Sequence, residues 1–344
     1  MESINKIQQY IPAFEKRLDG IIIGRLNTEP YYKKYLGYLL LHKKYYLEIY
    51  ASVLNDLLKN SIQDKETIIL IDYGAGNGLL GLFAKFCGFY KVYINDLNKP
   101  FTDIAHQLAE ILDISIDAFI TGDIEAVTDF FQSKKTTAIV GTDVVEHIYD
   151  LNFFFYELKK INPSIVSVFT TASNPFNKYK VKQLEKLQVK DEYKGGSPND
   201  YIFFGETTIA PFIKIREKII REKFPLLTDE EVTRLTKLTR GLIKKDILST
   251  VQKYSNDRVF PVPPIHPTNT CDPITGSWTE RILTETEYKE IYKNADFELK
   301  IHPGFYNEYG GTSRSFLFKI LNKCIKILGI SIAPFITLIG IPGK

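Results

Sequence analysis

An apolar run, Thr67 to Asp72, empties into Gly74-Ala75-Gly76-Asn77-Gly78, and a second run, Lys91 to Asn95, ends at Asp96. This pairing constrains the fold more than any other feature of the chain. The glycines allow a tight turn and let backbone N–H groups approach a ligand. Asp96 lies 22 residues beyond Gly74, the span of a strand–turn–helix–strand unit. A carboxylate at the tip of the second strand is placed to accept hydrogen bonds from two ribose hydroxyls. The expectation is the first half of a nucleoside-binding α/β fold; the alternative is a glycine-rich turn with no ligand.

Two cofactor classes use such a turn. A G-x-G-x-x-G dinucleotide fingerprint would place its third glycine where this chain has Leu79; here that glycine comes one residue early, at Gly78. Asp72 precedes the first glycine by two residues. A carboxylate there repels a pyrophosphate and attracts the ammonium and sulfonium of S-adenosylmethionine. The sign of Asp72 therefore favours S-adenosylmethionine.

From Lys65 to Ser173 the chain resembles the class I S-adenosylmethionine-dependent methyltransferases. After the glycine loop, Thr121-Gly122-Asp123-Ile124-Glu125 is similar to the family's loop after the third strand, whose acidic residue binds the adenine amino group. The segment from Thr137 through Asp143 to Glu146-His147-Ile148 is similar to the fourth strand and its D-x-x-E-H entry to the next helix, and Ser164–Thr171 to the fifth strand. The resemblance implies a doubly wound, mostly parallel seven-stranded sheet. It implies cofactor binding by Asp72, Gly74, Ala75, Gly76, Gly78, Asp96, Leu97, Asp123, Ile124 and Asp143.

The expected organisation is an N-terminal helical lid over 1–62, a cofactor-binding core over 63–173, a largely helical cap insertion over 174–281 and a completion of the core sheet over 282–344. Tyr31 to Lys59 carries Tyr, Leu and Ile at helical spacing, which suits either a lid or an ordinary packing helix. The breakers Asn174-Pro175 and Gly195-Gly196-Ser197-Pro198 open the insertion, a charged helical stretch follows from Ile209 to Lys253, and a proline-rich loop holds His266. A helix over 285–294 and a strand over 296–302 follow. In the tail, Ser315–Ile327 reads as amphipathic, with Lys319, Lys323 and Lys326 on it. One reading of the tail is an in-plane membrane anchor and peripheral membrane contact. The favoured reading makes Ala333–Gly340 a final buried strand, since such strands are short continuous apolar runs. The uncharged run is too short and too broken by Gly329, Pro334 and Gly340 to span a bilayer.

Methyl transfer to oxygen or nitrogen needs an aligned acceptor and a base. His147, expected in the first turn after the fourth strand, is the leading base, its ring kept neutral by a helix N-terminus; it could equally cap or pack that helix. Glu146 fits a capping box with Asp143. It also echoes an E-x-x-E-H metal motif of some relatives, the small-RNA 2′-O-methyltransferases and certain ubiquinone-pathway O-methyltransferases. Here Asp143 replaces the first glutamate and the fourth ligand would be His266 or His302, so no metal site is assigned. His266 is an alternative base. Trp278 could stack on substrate or cement the cap, and Tyr306, Tyr309 and Gly310-Gly311 could line a pocket.

The net charge is +3 over 344 residues with no block of like charge, which does not suit a nucleic-acid groove. Cys87, Cys271 and Cys324 form no C-x-x-C pair and read as free thiols in a reducing compartment. Met1 to Lys6 lacks the pattern of a signal peptide. A cytoplasmic O-methyltransferase of a small molecule or glycan is the expected function. The alternatives are an RNA 2′-O-methyltransferase and a non-catalytic binding subunit.

Overall fold

The computed structural model describes residues 7–132, 136–196, 210–309 and 313–343. They form two compact units. The first comprises Met1–Val145, Asp150–Ala172 and Glu285–Lys344; the second comprises Glu146–Tyr149 and Ser173–Thr284.

The first unit opens with helices α1 (Ile11–Leu18), α2 (Pro30–Leu41) and α3 (Lys43–Asn60). The Tyr31–Lys59 stretch is thus two helices, because the backbone leaves helical geometry at His42 (φ −111°, ψ 22°). The alternation then runs β1 (Ile69–Tyr73), α4 (Leu79–Phe86), β2 (Lys91–Asp96), α5 (Lys99–Ile111), β3 (Ala118–Thr121), α6 (Ile124–Phe131), β4 (Ala138–Thr142), α7 (Leu151–Ile161) and β5 (Val166–Thr171).

The seven-stranded sheet has the order β3-β2-β1-β4-β5-β7-β6, completed by β6 (Phe297–Pro303) and β7 (Ile336–Pro342). Strands β1 to β5 pair in parallel, whereas β7 runs antiparallel to both β5 and β6, so the sheet is mixed. The end of the uncharged tail becomes a strand between two others, which accounts for its lack of charge.

Side chains alternate across the sheet as strand geometry requires. Leu70, Val92, Val140, Val168 and Ile339 join one core with residues of α1 to α5. On β1 and β5, Tyr73 and Phe169 meet Phe154 of α7, and Phe155 beside it packs on Tyr292 of α12 (Glu285–Asn294) and on Phe297. Helix α13 (Ser313–Leu328) sits in the connection from β6 to β7.

The expected helix entry after β4 is displaced. Asp143 has φ 51°, a conformation unlike the extended backbone of an N-cap. A short 3-10 turn covers Val145–His147, and α7 begins only at Leu151. Its cap is Asp150, whose extended backbone lets the carboxylate accept the Phe153 amide at 3.0 Å.

The second unit holds α8 (Lys178–Tyr193), α9 (Phe212–Lys223), α10 (Asp229–Leu238) and α11 (Lys244–Asp257). Ile219, Ile220, Val232, Leu235, Ile247, Val251 and Tyr254 form its core. Thr228 and Glu231 make a complete capping box at the start of α10. Arg216, fully buried, pairs with the buried Glu192 and donates to the Thr236 carbonyl at 3.2 Å. Of the predicted breaker 195–198, Ser197 and Pro198 lie outside the described residues, as does Gly310-Gly311.

Candidate functional site

The turn after β1 is built from left-handed glycines. Gly74 has φ 62°, and a Cβ there would lie 2.3 Å from Cγ2 of Val144; Gly78 has φ 73°, and its Cβ would lie 2.7 Å from that of Ala105. Neither position admits a side chain without displacement. The loop is pinned to the end of β2: the Ala75 amide donates to the Asn95 carbonyl at 2.9 Å, and the Gly76 amide donates to Asp96 Oδ2 at 2.9 Å. Asp96 Oδ1 accepts the Asn98 amide at 2.9 Å, and Asn95 Nδ2 donates to the carbonyls of Ile120 and Gly122 at 3.1 and 2.9 Å. The loops after β1, β2 and β3 therefore meet at one edge of the sheet.

Each Asp96 oxygen accepts one backbone amide, and the Asn98 side chain also hydrogen-bonds to the carboxylate, an acceptor at a strand tip of the kind that takes ribose hydroxyls. Burial pushes this carboxyl up to about 6, against the lowering effect of the Asn98 and Gly76 amides. It is therefore mostly ionised at pH 7. Leu97, next in line, is an exposed apolar side chain. Asp123 is also exposed, and its Oδ1 caps α6 by accepting the amides of Glu125 and Ala126 at 3.1 and 3.2 Å. Ile124 is buried as the first residue of that helix.

Asp72 is 1% exposed, and its Oδ2 accepts the Gly81 amide at 2.7 Å. Burial pushes its carboxyl up to about 8, with the Gly81 hydrogen bond opposing and the Asp96 charge adding to the rise. The charge that favours a cationic ligand is thus held back in the protein alone, and a nearby cation would favour its ionised form.

The Tyr31–Lys59 stretch, which the sequence reads as either a lid or a packing helix, brings one tyrosine, Tyr35, to the glycine loop. Seven of the twenty residues from 31 to 50 are tyrosine. A Cβ on Gly76 would lie 3.4 Å from the Tyr35 ring, which packs over the loop. The phenols of Tyr35, Tyr45, Tyr46 and Tyr50 are all raised, first by burial, with the Asp143 charge contributing to each.

The candidate catalytic residues Glu146, His147 and His266 belong to the second unit, whereas every candidate cofactor residue belongs to the first. His147 Nδ1 lies 2.8 Å from the Trp278 carbonyl. A carbonyl only accepts, so Nδ1 carries a proton, and in the neutral ring the lone pair is therefore on Nε2. Glu146 is buried, and its carbonyl accepts the Arg281 amide at 3.1 Å. Trp278 donates from Nε1 to the Tyr149 carbonyl at 3.2 Å, stacks on Tyr149 at 6.1 Å and carries the Arg281 guanidinium 4.4 Å from its ring. It is a packing element of its unit.

His302, a possible metal ligand by sequence, is 3.2 Å from the buried Asp56 of α3. Among the described residues no group of three or more His, Cys, Asp and Glu side chains is placed to hold an ion. Tyr306 donates to the Ile332 carbonyl at 2.8 Å and Tyr309 to Glu48 at 3.2 Å, so both hydroxyls are engaged within the first unit.

No family model and no curated protein matches the sequence. Solved structures do align with it. The CurJ carbon methyltransferase is 12% identical, with a TM-score of 0.45 over 98% of this chain and 69% of that one. A SAM-dependent methyltransferase from Archaeoglobus fulgidus is 13% identical, with a TM-score of 0.40 over 88% and 99%. One from Aquifex aeolicus is 15% identical, with a TM-score of 0.28 over 35% and 63%. The chain spans 61% of the length of a hypothetical protein from Thermus thermophilus. Seven strands in the order β3-β2-β1-β4-β5-β7-β6, with β7 reversed, give this chain a doubly wound α/β sheet of the kind that the resemblance to class I methyltransferases implies.

Proposed function

We propose that the first unit binds S-adenosylmethionine and that the protein is a methyltransferase acting on a hydroxyl of a small molecule or glycan. The observation that carries the cofactor reading is Asp96, a carboxylate fixed at the tip of β2 by the Gly76 and Asn98 amides. Its oxygens would accept from the ribose hydroxyls. The side-chain-free turn at Gly74–Gly78 would let the backbone approach the ligand. Asp72 would face its cationic end, Leu97 would supply an apolar contact for the base, and Asp123 with Ile124 would border the adenine. When bound, S-adenosylmethionine supplies an electrophilic methyl group.

His147 is the proposed base. Its Nδ1–H is occupied by the Trp278 carbonyl, which fixes the tautomer and leaves Nε2 able to take the hydroxyl proton. The near-neutral overall charge suits an uncharged acceptor better than a polyanion.

Isothermal titration of the protein with S-adenosylhomocysteine, with NADH in parallel, tests the cofactor. Micromolar binding of the thioether and none of the dinucleotide is expected; the reverse would make the protein a reductase. Transfer of a labelled methyl group to a panel of hydroxylated acceptors then tests the reaction.

A further inference from the structure

Helix α13 packs a mixed polar and apolar stripe inward and leaves an apolar arc facing outward. Ser315 and Ile325 are buried, Phe318 stacks on Tyr306 at 5.0 Å, and Asn322 Nδ2 donates to the Tyr306 carbonyl at 3.0 Å and to Glu308 at 2.9 Å. Spaced three and four residues apart, these positions form one stripe. The opposite stripe carries Phe316, Leu317, Ile320, Ile327 and Leu328, which are 70%, 51%, 43%, 86% and 57% exposed. At about 100° per residue these five share an arc of roughly 120°. Lys319, Lys323 and Lys326, all exposed, line one border of that arc, and exposed Arg314 lies towards the other.

The helix has four cations and no acid. Its charge exceeds the +3 of the whole chain, so the remainder is net negative by one. The arc is therefore a local feature, an apolar face set between cations on a protein that is otherwise close to neutral.

The helix also has a defined place in the fold. Ile336, the first residue of β7, pairs with Pro303 at the end of β6 and with Thr171 at the end of β5. Both ends of the β6–β7 connection thus leave the sheet at the edge where the parallel strands finish, the edge that carries the glycine loop and Asp96. No helix among the described residues is long and apolar enough to cross a membrane.

We propose that α13 is an in-plane anchor that seats this edge of the protein on a membrane surface containing anionic lipids. The exposed apolar arc enters the boundary between headgroups and acyl chains, while the flanking lysines lay their stems along it and keep their ammonium groups at the phosphates. Charge selects this occupant over a second copy of the chain. Two α13 faces brought together would set four cations against four, a juxtaposition that like charge opposes. The inference stands independently of the methyl-transfer reading.

The test is flotation of the full chain with vesicles of phosphatidylcholine, with and without phosphatidylserine. Co-flotation with the anionic vesicles is expected, falling as salt screens the lysines. The Phe316→Glu/Ile327→Glu double variant changes only exposed side chains, so its thermal unfolding should match wild type while co-flotation drops at least tenfold. Lys319→Glu/Lys323→Glu should remove the preference for phosphatidylserine. Absence of flotation with anionic vesicles overturns the proposal, as does flotation that survives the double variant. Equal flotation with phosphatidylcholine alone overturns the anionic preference. A dimer in light scattering that the double variant dissolves would assign the face to self-association instead.

Discussion

Asp72 accepts the amide of Gly81 at 2.7 Å, so a buried carboxylate on β1 satisfies an N–H in the first turn of α4. Burial pushes its pKa from 3.8 up to about 8. Across that interval the folded chain holds a proton that the unfolded chain has released, so this group's contribution to stability falls as pH rises from about 4 to 8. Urea unfolding of wild type and Asp72→Asn should show the difference. The variant should gain on wild type between pH 5 and pH 8, by at most about 1.4 kcal/mol per pH unit.

The same carboxyl gives cofactor binding a pH dependence. If the ligand's ammonium requires ionised Asp72, affinity for S-adenosylhomocysteine should rise from pH 6 to pH 8, by up to about tenfold per unit. Calorimetry on Asp72→Asn should give a weaker and flatter profile. An unchanged profile would remove Asp72 from the ligand's cationic end.

Asp96→Ala should weaken S-adenosylhomocysteine by about 1–3 kcal/mol, since a charged acceptor is lost. It also frees the Gly76 and Asn98 amides, so loop order should be followed alongside by hydrogen exchange at these amides. Undiminished affinity would place the ribose elsewhere.

Gly74→Ala combines a left-handed backbone with a Cβ 2.3 Å from Val144. A loss of at least about 1–2 kcal/mol is expected, read as a lower thermal midpoint. Adding Val144→Ala removes the Cγ2 contact but leaves Val144 Cβ at 3.0 Å and the dihedral unchanged, so rescue should be partial.

The strands of the core are legible in the sequence because buried parallel strands read as uninterrupted apolar runs, and the spacing from Gly74 to Asp96 reports a fixed structural unit. The entry to α7 is not, because Asp143-Val-Val-Glu146 has the letters of a capping box while the backbone at Asp143 turns left-handed. The tyrosines of α2 and α3 read as a packing or lid stripe, since helical spacing looks the same whether a face meets a core or a ligand. The His302–Asp56 pair joins residues 246 positions apart, a distance no local pattern encodes.

His147→Ala should lower turnover by about 10²–10⁴-fold on an acceptor hydroxyl while leaving S-adenosylhomocysteine affinity intact. His147→Gln should not restore it, because an amide cannot take the proton. Turnover that survives either change would move the base to another residue, with His266 the next to test.

The position of β7 has a consequence for how the sheet is assembled. Among the described residues β6 pairs only with β7, and β7 is made some thirty residues later yet fills the slot between β5 and β6. During synthesis β5 is therefore a bare edge and β6 a strand with nothing to pair with until Ile336–Pro342 leaves the ribosome. A chain stopped before Ile336 would forfeit two strands rather than one.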